Sequence, residues 1–178
     1  MKHVIRIAAT FLLCMIPLAA TAADRTTDEI LSDLRKQAHE GWASAQYELS
    51  LKLSQMEDKG GEALDWMQKA AEQGLADAEY TVGVLYEEGR AGYERNLAKA
   101  SEWFDKSARQ GYKQAQSAIG SLYWNRAEMT KDDRATACAW FMLARDEAGI
   151  AECDRTLDPE QKQLAESTFE ELKKTYPY

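Results

Sequence analysis

Apolar positions recur along this chain at helical spacing. In residues 77–88, Ala78, Val82, Leu85 and Tyr86 stand at i, i+4, i+7 and i+8, which is one face of a helix. Residues 97–110 repeat the device with Leu97, Ala100, Phe104 and Ala108. The pair of helices is itself repeated, over about residues 36–68, 69–105 and 106–142. Gly41, Gly74 and Gly111 align, as do Ala45, Ala78 and Ala115, and Ala63, Ala100 and Ala137. Trp66, Trp103 and Trp140 follow at intervals of 37, and Gly83 and Tyr86 return as Gly120 and Tyr123. The first unit is four residues shorter because the segment from Gln55 to Glu62 replaces a longer loop. Paired helices at such a period predict an all-α solenoid of about three helix-turn-helix units, each packed on its neighbours.

The punctuation agrees with that architecture. Gly74 and Gly111 stand where a left-handed residue ends a helix. Gly83 and Gly120 fall inside helices, where each costs about 1 kcal/mol relative to alanine. Close approach of a neighbouring helix is the expected return, with Trp66, Trp103 and Trp140 as the large partners of the small sites. Thr26-Thr27-Asp28-Glu29 forms a capping box ahead of Ile30, Leu31 and Leu34, predicting a second-type helix that lacks its first. Asp158-Pro159-Glu160 starts a last helix with Leu164, Phe169 and Leu172 on its apolar side. Residues 143–178 are therefore expected to cap the array.

The first 22 residues read differently. A basic stretch to Arg6, an apolar run from Ile7 to Leu18 and the small-x-small Ala20-Thr21-Ala22 predict a signal peptide cleaved after Ala22 or Ala23. The run is shorter than the roughly 20 residues that span a bilayer. The expected location is the periplasm, and 23–178 the single folded domain. Lys2 and Arg6 account for two of the 22 Lys+Arg residues, so the remainder carries 20 against 30 Asp+Glu. Such an acidic chain without a basic stripe is not expected to bind nucleic acid or, once processed, to insert in a membrane. A protein partner with a basic patch suits it better.

The pattern G-x-A-x-A-x-x-x-[LVI]-G-x-x-Y, followed by K-A-x-x-W-[FY]-x-K-[AS]-A-x-Q-G, resembles the Sel1-like repeats, relatives of the tetratricopeptide repeat. It runs here from Gly74 and Ala78 through Gly83 and Tyr86 to Lys99-Ala100, Trp103-Phe104 and Ala108. Unit one departs from it, with Ser50 for the helical glycine and Leu53 for the tyrosine. The resemblance covers about residues 36–149. It implies a right-handed superhelix and a role in protein–protein interaction, which together with the leader makes an envelope adaptor or regulator the expected function. Some small periplasmic members are immunity proteins that neutralise antibacterial effectors, and some cysteine-rich relatives have been linked to β-lactam binding.

Catalytic chemistry finds little support in the residues. His39 is the one histidine after the leader and stands where Glu72 and Arg109 stand in later units, an exposed variable position. No zinc-ligand spacing, P-loop, G-x-S-x-G, EF-hand loop or S-x-x-K occurs, so neither a metal nor a cofactor is expected, and a β-lactam hydrolase is the weaker reading. Cys138 and Cys153 could form one disulfide in an exported chain, or stay as two buried small hydrophobes. In the disulfide-bearing relatives the bridge joins a late second helix to the next first helix. Cys153 holds one of those places, but Arg145 holds the other, and Cys138 lies about two turns further up.

What remains is surface. In this architecture the first helices line the concave side, where positions outside the packing face make a stripe. It includes Glu48 and Leu51, then Asp77, Thr81, Val84 and Glu88, then Gln114 and Ser121. Trp42, Tyr112 and Trp124, aromatics with no place in the repeated core, are candidate anchors for a partner.

Overall fold

The computed structural model describes residues 26–126 and 128–177; the leader segment 1–22 lies outside them. Among the described residues there are nine α-helices and no strand. They are α1 (Thr27–His39), α2 (Ala43–Leu53), α3 (Gly60–Glu72), α4 (Ala76–Glu88), α5 (Leu97–Arg109), α6 (Lys113–Trp124), α7 (Lys131–Ala144), α8 (Glu147–Thr156) and α9 (Pro159–Thr175). From α1 to α8 each helix packs on the next in sequence, and α9 packs on α7, giving a solenoid with α2–α3, α4–α5 and α6–α7 as its units. Capping boxes start α1 at Thr26, α7 at Thr130 and α9 at Asp158. Gly41, Gly74 and Gly111 hold φ of 97°, 83° and 81°, the left-handed region that lets the chain leave one helix and enter the next within three residues.

The mid-helix glycines do what close packing demands. A Cβ on Gly83 would lie 2.5 Å from two ring carbons of Phe104, and one on Gly120 would lie 2.8 Å from Phe141. In unit one Ser50 and Met67 occupy the same two places, with the hydroxyl 3.9 Å from the sulfur. Small residue on the first helix and large residue on the second is thus one repeated joint. The large residue is the one after the tryptophan: Phe104 is fully buried, while Trp103 is half-buried, against the expectation that it fills the core. His39 stands edge-on to Trp66 and Tyr176 to Trp140, burying both, whereas the Lys106 ammonium lies 3.8 Å from the centre of the Trp103 ring.

The array ends by departing from its period. Arg145 takes a left-handed conformation (φ 57°) and stops α7 after Ala144. Asp146 then caps α8, which turns back beside α7. Cys138 and Cys153 lie almost equally far from the Arg145 turn, and in an antiparallel helix pair such positions face each other. They are joined as a disulfide with Cα atoms 5.9 Å apart. Helix α9 runs parallel to α7 and covers it. Asp158 pairs with Lys131 at one end, and the Tyr176 ring meets Trp140 at the other.

Candidate functional site

The first helices α4, α6 and α8 leave a groove between them, made of two depressions that share Ser121. The first, of about 320 Å³, is lined by Tyr80 and Glu87 of α4 and by Gln114, Ser117, Ala118 and Ser121 of α6. The second, of about 250 Å³, is lined by Ser121, Trp124, Phe141, Asp146, Gly149 and Glu152 among others. The small residues on α6 create the space: Ser117, Ala118 and Ser121 occupy positions where longer side chains would fill the gap between neighbouring first helices.

Its chemistry is that of hydrogen bonding and negative charge. Ser117 donates its hydroxyl to the Asp146 carboxylate, and the Gly149 backbone N–H donates to the same group at 3.1 Å. The serine bond first, then the backbone N–H groups of α8, hold Asp146 below the usual carboxylate range against the opposing effect of burial. A carboxylate so stabilised is a weak base, so Ser117 is oriented but not activated. Burial first, then the neighbouring Glu88, pushes the Glu87 carboxyl up. No three His, Cys, Asp or Glu side chains among the described residues converge as a metal site. No helix among those residues is long and apolar enough to cross a membrane.

The structure divides the sequence-derived candidates. Gln114, Ser121 and Trp124 come together in the groove. Glu48 and Leu51 are exposed on α2 and do not line it, and Trp42, 63% exposed, stands at the start of that helix. Glu88 is exposed and pairs with Arg90 at 2.7 Å. Asp77, Thr81, Val84 and Tyr112 are not the free positions the repeat suggests. The Tyr112 phenol donates to Asp77 at 3.0 Å and its ring lies 5.4 Å from Tyr80, tying unit two to unit three. Burial first, then that hydrogen bond to a carboxylate, pushes the Tyr112 phenol up to about 12. The Thr81 hydroxyl donates to the Asp77 carbonyl, and Val84 packs on the core. Tyr80, Glu87, Ser117 and Asp146 were missed. Tyr80 reads as core from its repeat spacing, and Asp146 joins the groove because α7 ends early.

A wider opening of about 670 Å³ lies beside loop 89–96, where three of the polar side chains are already engaged. Tyr93 donates to Gln68, Arg95 to the Glu87 carbonyl, and Asn96 caps α5.

Comparison with known proteins gives a consistent result. The Sel1 repeat matches three times, at residues 43–75, 76–112 and 113–147. The fold is similar to that of a protective antigen of uropathogenic Escherichia coli strains displaying an SLR fold. The identity is 25% and the TM-score 0.73, over 85% of this chain and 34% of that one. It is also similar to a Sel1 repeat protein from Oxalobacter formigenes, at 30% identity and TM-score 0.56, over 66% of this chain and 49% of that one. The chain thus spans about a third to a half of the length of these structures. No curated protein matches it.

Proposed function

The chain belongs to the Sel1 repeat family, and on that premise we propose that it is an adaptor or regulator of the bacterial envelope that binds one protein partner in the α4–α6–α8 groove. Repeats of this family generally mediate protein–protein interaction. Residues 1–22, with their basic start and small-x-small end, support an exported location. The observation that carries the reading is the groove itself. Two adjoining depressions run across three successive first helices, walled by Tyr80 and Trp124 and edged by Glu87, Asp146 and Glu152. Aromatic walls anchor a partner by burial, and the carboxylates favour one with basic residues.

Affinity capture from an envelope extract tests this, with wild type compared against Gln114→Lys/Ser121→Lys. Both replacements sit on exposed or half-buried positions of α6, so the fold is retained. A protein held by wild type, released by added salt and absent with the double variant is the expected result. A set of captured proteins unchanged by the double variant overturns the groove as the binding surface.

A further inference from the structure

A buried polar side chain recurs once per unit, at Gln46, Glu79 and Gln116. In the first two units its oxygen is satisfied by a glutamine at the end of the second helix. Gln73 donates to Gln46 at 2.6 Å, and Gln110 donates to Glu79 at 2.7 Å. The third equivalent, 37 residues on from Gln110, is Glu147. Because α7 stops at Ala144, that residue is carried into α8. Gln116 is fully buried, and its Oε1 has no hydrogen-bond partner. Its Nε2 donates to the Ala108 carbonyl at 3.3 Å and to the Pro177 carbonyl at 2.7 Å. The side-chain amide therefore offers a donor and an acceptor side by side, and only the donor is used.

The segment after α9 is seated there by more than that bond. The Tyr176 phenol donates to Asp105 on α5 at 2.5 Å, and its ring stands edge-on to Trp140, with centroids 4.7 Å apart. The Arg109 guanidinium lies 5.3 Å from the same ring. Pro177 lies over Gly111, where a Cβ would come within 3.4 Å of its ring. An extended residue presents its own N–H and C=O to the same side, which matches the two ends of a carboxamide. Proline supplies the carbonyl but has no N–H to return to Gln116.

We propose that the junction of α5, α6 and α7 is a second recognition site, for an extended peptide carrying tyrosine followed by a non-proline residue, which Tyr176-Pro177 occupies in its place and leaves incompletely bonded. The partner's tyrosine takes the Asp105–Arg109–Trp140 position. Its next residue accepts from Gln116 Nε2 through the carbonyl and donates to Oε1 through the N–H. The resident segment thereby acts as a strap that a better-matched segment displaces.

The test is fluorescence polarisation on the full chain with two labelled pentapeptides, Lys-Thr-Tyr-Ala-Tyr and Lys-Thr-Tyr-Pro-Tyr, both blocked at their ends. Satisfying a buried acceptor predicts roughly tenfold tighter binding of the alanine peptide than of the proline peptide. Tyr176→Ala releases the strap, and should tighten the alanine peptide several-fold relative to wild type. Pro177→Ala improves the strap, and should weaken it several-fold and raise the melting temperature, so the outcome does not hang on one variant. Asp105→Ala should cost both peptides affinity. Equal affinity for the two peptides, or no saturable binding to Tyr176→Ala, overturns the proposal. So does a concentration-dependent wild-type dimer that Tyr176→Ala abolishes, because the site then serves a second copy's strap.

Discussion

Replacing Gly83 with alanine sets two effects of opposite sign against each other. Helix propensity favours alanine inside α4 by about 1 kcal/mol. Packing opposes it, because the new methyl would stand 2.5 Å from both Cδ1 and Cε1 of Phe104. That ring is fully buried and belongs to α5, so it cannot swing into water. Relief requires the two helices to separate at the joint on which each unit depends. Overpacking of this kind costs roughly 1–3 kcal/mol, and the closeness of two rigid ring atoms places it near the upper end. The net change should be a loss of about 2 kcal/mol, or roughly 4–8 °C in melting temperature for a domain of this size. Gly61→Ala is the control. Gly61 is also helical, but nothing lies within 4 Å of its added Cβ, so that variant should gain about 0.4–1 kcal/mol. Thermal unfolding followed by circular dichroism reads both. Phe104→Leu in the Gly83→Ala background should recover part of the loss, and the double-mutant cycle should show coupling of at least about 1 kcal/mol. If Gly83→Ala stabilises as Gly61→Ala does, Phe104 is not seated on α4, and the packing of unit on unit described above is wrong.

Three further outcomes follow from the same geometry. Reducing Cys138–Cys153 opens a loop of 15 residues and should cost about 3 kcal/mol, measured as the shift in urea midpoint with and without reductant; an unchanged midpoint refutes the bridge. Tyr112 and Tyr176 are both pushed up to about 12, chiefly by burial and then by hydrogen bonds to Asp77 and Asp105. With folded values above the ordinary one near 10, they support the fold below pH 10, and that support is lost as pH rises from about 10 to 12. Absorbance of tyrosinate should show a late step that Tyr112→Phe and Tyr176→Phe each shorten. Burial first raises the Glu79 carboxyl, opposed by the Gln110 hydrogen bond and by Lys106, so its contribution is most favourable at acid pH and declines as pH rises through its titration. Glu79→Gln, the residue present at positions 46 and 116, should raise stability at pH 7 by a few tenths to about 1 kcal/mol and flatten that dependence, whereas a loss would mean the charge is better paired than its surroundings indicate.

The repeated part of the fold was legible because periodic constraints are local. Gly41, Gly74 and Gly111 mark turns, Gly83 and Gly120 mark close approach, and the apolar spacing marks faces. The apolar spacing puts Phe104 on the packed face, but the regular recurrence of Trp66, Trp103 and Trp140 points to the tryptophan instead, and on α5 the helix phase that buries Phe104 half-exposes Trp103. The departures from the period were also hidden. A left-handed arginine at 145 has no sequence signature, yet it brings Cys153 to Cys138, carries Asp146 into the groove and takes Glu147 away from Gln116. Tyr112 looked free because its partner, Asp77, lies on the preceding unit, and such pairings across units depend on the superhelix as a whole. The groove therefore emerged from residues the repeat leaves unspecified, with Ser117 and Ser121 small enough to open it.

The central claim is that this solenoid works by holding a protein against its first-helix face. A photo-crosslinking residue placed at Ser121, in the groove, and in parallel at Glu102, exposed on the second helix α5, tests it in living cells. The account predicts a discrete protein adduct from position 121, diminished by Glu87→Lys in the same chain, and none from position 102. An adduct from position 102 with none from position 121 would contradict it.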